Sequence, residues 1–197
     1  LFTSNGSGTL SSVNSALAGN GPVLISSQTA SSSSSVAFTS GIDSTYDRYM
    51  FVFVDINPAT DNQTFSFQCS IDGGSNYNVT QTTTYFRAYH FEDASAAGIG
   101  YITGNDIAQS TGFQLIGDSG GNGADESLSG ILHLFSPSST TYVKHWYCRT
   151  STYSYHNASI DTFTAGYFND ADDDINAIQF KMPSGNFDGV IQMYGIK

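Results

Sequence analysis

Apolar and polar residues alternate with a period of two along most of this chain, and clusters of Gly, Pro, Ser and Asn break the alternation at short intervals. In one run Phe65, Phe67, Cys69 and Ile71 point one way, and Thr64, Ser66, Gln68 and Ser70 the other, which predicts a half-buried strand. Asp72-Gly73-Gly74 then turns the chain. The β pattern opens at Val23-Leu24-Ile25. The serine run 31–35 leads directly into Val36–Thr39 and reads as an exposed strand entry. Tyr49–Ile56 is apolar at nearly every position, which predicts a central strand buried on both faces, ended by Pro58. Thr82–Phe91 forms a further strand, with Tyr85, Tyr89 and Phe91 among its apolar members.

Weaker strands near 99–103 and 113–116 sit in a Gly-, Ala- and Asn-rich stretch, and Gly117–Gly123 reads as a loop. Leu128–Ser136 and Thr141–Thr150, joined by Pro137-Ser138-Ser139-Thr140, predict an antiparallel hairpin. Phe163–Phe168, Ala177–Met182 and Gly189–Ile196 complete the set. Roughly nine to eleven short strands separated by turns make the chain all-β, an antiparallel β-sandwich or barrel. No long repeat marks a propeller or β-helix. The domain is expected over residues 22–197. Residues 1–21, rich in Gly, Ser and Asn, form an N-terminal arm or linker in which Leu10, Val13 and Leu17 have helical spacing.

Composition narrows the function. The 197 residues are 39% hydrophobic and only 12% charged, so the polar surface must come mostly from Ser, Thr, Asn and Gly. A chain of this length buries roughly 70% of its unfolded surface and needs no cross-link to hold a core. Cys69 and Cys148 fit either a disulfide between strands or two free buried thiols, and free thiols are favoured because the bridge is not required. The net charge is −11, and the cations (Arg48, Arg87, Lys144, Arg149, Lys181, Lys197) are scattered. Nucleic-acid binding needs clustered cations, so it is excluded, and an acidic chain does not favour an anionic membrane surface. No apolar run is long enough for a membrane-spanning helix.

Four groups of residues carry candidate chemistry. Asp170, Asp172 and Asp174 alternate as in the start of a calcium loop, but Ile175 stands where the turn Gly belongs and no bidentate Glu follows, so a solvated acidic turn is the favoured reading. His90, Glu92 and Asp93 lie close together, and His133, His145 and His156 supply further imidazoles, yet no spacing demands zinc. No Gly-x-Ser-x-Gly elbow marks a nucleophile, and Glu92 and Glu126 are the only glutamates a glycosidase reading has to draw on besides the aspartates. Finally, Trp146, Tyr153 and Tyr155 are candidate sugar-stacking residues. Tyr147 and Arg149 alternate with Trp146 and Cys148, so one of these sets must face solvent or an interface.

Several phrases resemble a group of structural proteins of tailed phages, of the marine and cyanobacterial type. They are Leu24–Ala30, Gly41–Asp47, Asn57–Asp61, Ser70–Gly74, Ser136–Val143 and Gly185–Ile196, and together they span residues 22–197. The resemblance implies a jelly-roll-like β domain on the exterior of a virion, as a tail-fibre piece or a capsid-attached decoration protein. It implies a non-enzymatic role with no catalytic residues and no cofactor. The expected partners are copies of the chain, with a trimer as the expected order, and other virion proteins. The alternative is a receptor- or glycan-binding module at a fibre tip, using the aromatics at 146, 153 and 155.

Overall fold

The computed structural model describes residues 21–197 apart from Ala171; the predicted arm, with Leu10, Val13 and Leu17, lies outside the described residues. The strands are β1 (Val23–Ser33), β2 (Val36–Phe38), β3 (Arg48–Pro58), β4 (Ser66–Ser70), β5 (Gln81–Phe91), β6 (Ala97–Tyr101), β7 (Gln114–Leu115), β8 (Leu128–Phe135), β9 (Lys144–Ser154), β10 (Ala158–Phe168), β11 (Ala177–Lys181) and β12 (Phe187–Ile196). The described residues contain no helix. The protein is an all-β sandwich of two antiparallel sheets. One has eight strands in the order β1-β12-β3-β8-β9-β10-β5-β6, and the other has four in the order β2-β11-β4-β7.

The pairing is nested. β1 pairs with β12, β2 with β11, β3 with β8 and β4 with β7. The chain therefore doubles back along itself, and the β12–β3 and β11–β4 pairs close each sheet. The hairpin β9–β10 and the strands β5–β6 fall outside this nest and extend one sheet beyond the other.

The two sheets meet on aromatic rings. Alternation turns Tyr49, Phe51 and Phe53 of β3 inward, and Phe180 of β11 comes from the opposite sheet. The Phe180 ring lies 5.2 Å from Phe53, 5.5 Å from Phe51, 5.8 Å from Phe65 and 6.2 Å from Phe67. Trp146 continues the cluster, edge-on to Phe67 at 4.8 Å. Such offset and edge-to-face contacts add to the area that the rings bury. Cys69 and Cys148 are buried free thiols in this core, and burial pushes both well above the ordinary thiol range.

The structure revises three expectations. β4 is buried on both sides, not one. Gln68 sits at 0% exposure because its side-chain amide donates to the carbonyls of Val79, Thr111 and Gly112, which cover the polar side of the strand. β3 is buried on one side only. Met50 and Val52 are half-buried on its outer face, and Val54 is exposed, because no layer of the described residues covers that side of the larger sheet. Finally, β10 begins five residues earlier than its apolar run suggests. The turn before it, 155–157, has neither Gly nor Pro, and Asn157 supplies the left-handed conformation at φ 56°.

One glycine is demanded by geometry. Gly189 has φ +133° at the bulge between Asp188 and Val190, where a Cβ would stand 2.8 Å from the Asp55 carbonyl oxygen. The turn after β4 rests on a carboxylate. Asp72 accepts from the Ser70 hydroxyl (2.7 Å), the Asn76 backbone N–H (2.9 Å) and the Asn76 side-chain amide (2.7 Å). Those bonds hold its carboxyl down to about 2, against an ordinary 3.8.

Two predictions follow from these contacts. Phe180→Ala should cost about 3–5 kcal/mol in urea unfolding, at the upper end for a buried ring whose neighbours belong to two sheets. Asp72→Ala should lower the unfolding midpoint at neutral pH. Because the folded pKa is depressed, the wild type's advantage is complete above pH 3.8 and disappears as the pH falls through about 2, which melts of both proteins across that range would show.

Candidate functional site

The alternation within β9 sorts its side chains into two sets. Trp146, Cys148, Thr150, Thr152 and Ser154 point into the sandwich, and His145, Tyr147, Arg149, Ser151 and Tyr153 point to the outer face of the larger sheet. The exposed set is therefore the Tyr147–Arg149 set. Trp146 is only 2% exposed and packed on Phe67, so it offers no ring face to a ligand, in contrast to its reading as a stacking residue. Tyr153 does stand on the outer face, whereas Tyr155 sits in the β9–β10 turn with its ring 3.7 Å from that of His156. The three aromatics picked from the sequence thus do not share a site.

Across the outer face, antiparallel register lines up Val52, Ile131, Arg149, Phe163, Phe86 and Tyr101 in one row over six strands. Phe86 and Phe163 stack in parallel at 5.0 Å, and the Arg149 guanidinium lies 4.6 Å from the centre of the Phe163 ring. Arg149 also donates to both oxygens of Asp161, at 3.0 and 2.8 Å. A second group joins His133, Phe135 and Tyr147, with His133 and Tyr147 rings 4.9 Å apart and Arg48 over Phe135 at 5.9 Å. Burial, and then the charge of Arg48, push the His133 imidazole below its ordinary value. At the edge strand, Ile99 is 76% exposed. An apolar, aromatic sheet face left open to solvent is the mark of an interaction surface.

Two concavities lie toward the β5–β6 side. On the outer face, His90, Glu92 and Tyr153 line a shallow groove of about 320 Å³ floored by Ser151 and Ser159. It runs into a second depression of about 450 Å³ bounded by Ile131, Arg149 and Asp161. His90 and Glu92, close together in the sequence, are therefore brought to one groove. Burial and the neighbouring Glu92 raise the Tyr153 phenol above its ordinary value.

The other concavity lies on the inner side, where the larger sheet runs past the smaller one. It holds about 210 Å³ and is the more enclosed of the two. Tyr89 and Phe91 of β5, Ala158 and Ile160 of β10, His156 and Arg87 line it. Arg87 is ion-paired with the buried Asp118, which also accepts from the Ser119 hydroxyl at 2.6 Å. No signal in the sequence marked this pocket, because its walls come from β5, the β9–β10 turn and the 118–119 loop.

The histidines and the acidic run assemble no metal centre: no group of three or more His, Cys, Asp or Glu ligands converges among the described residues. The acidic turn has a cation of the chain's own. Lys144 is buried, and its ammonium donates to the Asp170 carbonyl oxygen. Desolvation pulls the Lys144 pKa down against the opposing pull of Asp170, Asp174, Asp173 and Asp172. Comparison of the chain with protein-family models, with curated proteins and with solved structures finds no match.

Lys144→Met should keep the aliphatic stem but strand the Asp170 carbonyl beside a cluster of carboxylates. The expected loss is about 1.5–3 kcal/mol in urea unfolding. Part of it should be recovered in high salt, where the carboxylates repel one another less.

Proposed function

We propose that this chain is a non-enzymatic building block of a tailed-phage virion that assembles through the outer face of its larger sheet. The observation that carries the reading is the open aromatic face running from Val52 to Tyr101. β3 has the apolar content of a strand covered on both sides, yet the described residues cover only one. Eight strands about 4.8 Å apart, each contributing about nine residues at 3.3 Å, present a face of about 1,000 Å². A stable interface needs about 800 Å² per partner.

The face also suits contact between like chains. The protein carries −11 overall, so copies repel in most orientations. On this face Arg149 is neutralised by Asp161, and the Arg48 charge lies against a ring. Two copies can therefore meet along the row from Val52 to Tyr101, which contains no acidic residue. The nested pairing of β1 with β12, β2 with β11, β3 with β8 and β4 with β7 supports a jelly-roll-like reading, and the jelly roll is an architecture that virus particles use repeatedly. The phage-like phrases from Leu24 to Ile196 point the same way. The virion exterior is the corresponding location, and other virion proteins are the further partners.

The test is sedimentation of the full chain from low to high micromolar concentration. A mass of two or more chains is expected, with a trimer as the order that the resemblance implies. Phe86→Glu combined with Tyr147→Glu, both at exposed positions, should return the protein to a monomer with its melting temperature little changed. A monomer at every concentration, or an oligomer indifferent to that pair of changes, overturns the reading.

A further inference from the structure

We infer that the pocket under the overhang of the larger sheet is a binding site for a single neutral sugar ring. It is independent of the assembly face, because it opens on the opposite side of the sheet.

The pocket arises from the mismatch between the sheets. β9, β10, β5 and β6 extend beyond the smaller sheet, and the loop 102–127 folds back beneath them. That loop seals most of the overhang with hydrogen bonds. The Thr83 backbone N–H donates to the Ile107 carbonyl, the Tyr85 hydroxyl to the Gly117 carbonyl and the Thr150 hydroxyl to the Ile116 carbonyl. The Tyr155 N–H donates to the Ser119 carbonyl at the margin. Beyond that point the inner face of the sheet is left uncovered over Tyr89, Phe91, Ala158 and Ile160, and the pocket forms there.

Its chemistry is that of a sugar site. Tyr89, Phe91 and His156 supply ring faces and edges on which the C–H face of a pyranose can stack, over an apolar floor of Ala158 and Ile160. One end carries Arg87, held in place by the buried Asp118, and the Ser119 hydroxyl, groups able to donate to and accept from vicinal hydroxyls. One buried polar atom at this end, Arg87 Nε, has no partner among the described residues. Buried polar atoms are normally satisfied, and a hydroxyl group of a ligand held against Arg87 would satisfy this one.

Charge and size narrow the ligand further. The Arg87 charge is already neutralised by Asp118, and the chain as a whole is acidic, so an anionic ligand gains nothing here. At about 210 Å³ the pocket falls below the ~300–1,000 Å³ of pockets for drug-sized ligands, which fits one ring and leaves the rest of an oligosaccharide outside.

The experiment is titration of the full chain with methyl glycosides of glucose, galactose, mannose and N-acetylglucosamine, followed by calorimetry and by NMR of the aromatic protons. At least one glycoside should bind saturably and perturb His156 and Tyr89. His156→Ala, at an exposed turn position, should weaken binding about fivefold, and Tyr89→Leu by a similar factor, with melting temperatures confirming that both variants fold. Tyr153→Ala, on the opposite face, should leave it unchanged. The monomeric Phe86→Glu/Tyr147→Glu protein should bind as the wild type does, which separates this site from the assembly reading. Flat titrations for all four glycosides overturn the inference, and so does binding that survives both pocket variants or is lost in Tyr153→Ala.

Discussion

The contact on which the rest of the structure depends is the cluster of phenylalanine rings around Phe180. That residue belongs to the smaller sheet, while Phe51 and Phe53 belong to the larger one. No main-chain ladder joins the two sheets, so side-chain burial must hold them in register. Phe65 and Phe67 extend the cluster along the smaller sheet, and Trp146 and Phe168 carry it under the first of the added strands. With that layer in place, each strand that contributes to it has one face committed. The position of every outward side chain then follows from the two-residue period.

The second constraint is that the sheets differ in width. Eight strands cannot all be covered by four, and the protein resolves the excess in two ways. Beneath the overhang, the inward residues become polar: Thr83, Thr150, Thr152, Thr162, Thr164 and Gln81 replace the phenylalanines, and a loop satisfies several of them. On the outer side none of the described residues folds back, and a row of apolar and aromatic residues remains in contact with solvent. The inner pocket and the open outer face are both products of this mismatch, one where the covering segment ends and the other where none of the described residues gives cover.

Much of the fold was legible in the sequence because strand burial has a short period. The β8–β9 pairing, the turn at Asp72–Gly74 and the facing of Ile178, Phe180 and Met182 all follow from local pattern. The failures have one cause. A strand's own residues do not say how many of its faces are covered. β4 looked half-exposed because Ser66, Gln68 and Ser70 are polar, although the carbonyls of Lys181, Val79 and Thr111 accept from Ser66 and Gln68, and the Asp72 carboxylate accepts from Ser70. β3 looked doubly covered because Met50, Val52 and Val54 are apolar, although no layer of the described residues lies outside them. The same blindness selected Trp146 as a binding residue, since its alternation with Tyr147 left open which of the two faced solvent.

The sequence by itself determined the class of the protein: an antiparallel β-sandwich, acidic, with no clustered cations for nucleic acid and two cysteines able to remain thiols inside an ample core. These properties follow from composition and from a two-residue period, which any short segment carries. Only the tertiary structure decided which face of each strand is inside, that β5–β6 and β9–β10 widen one sheet and not the other, and that Arg87, Tyr89, His156 and Ser119 meet in one pocket. Those outcomes depend on pairings between residues far apart along the chain, as with β1 and β12 or Tyr89 and Ile160. Pairings of that kind are chosen by the fit of whole layers, which no local pattern encodes.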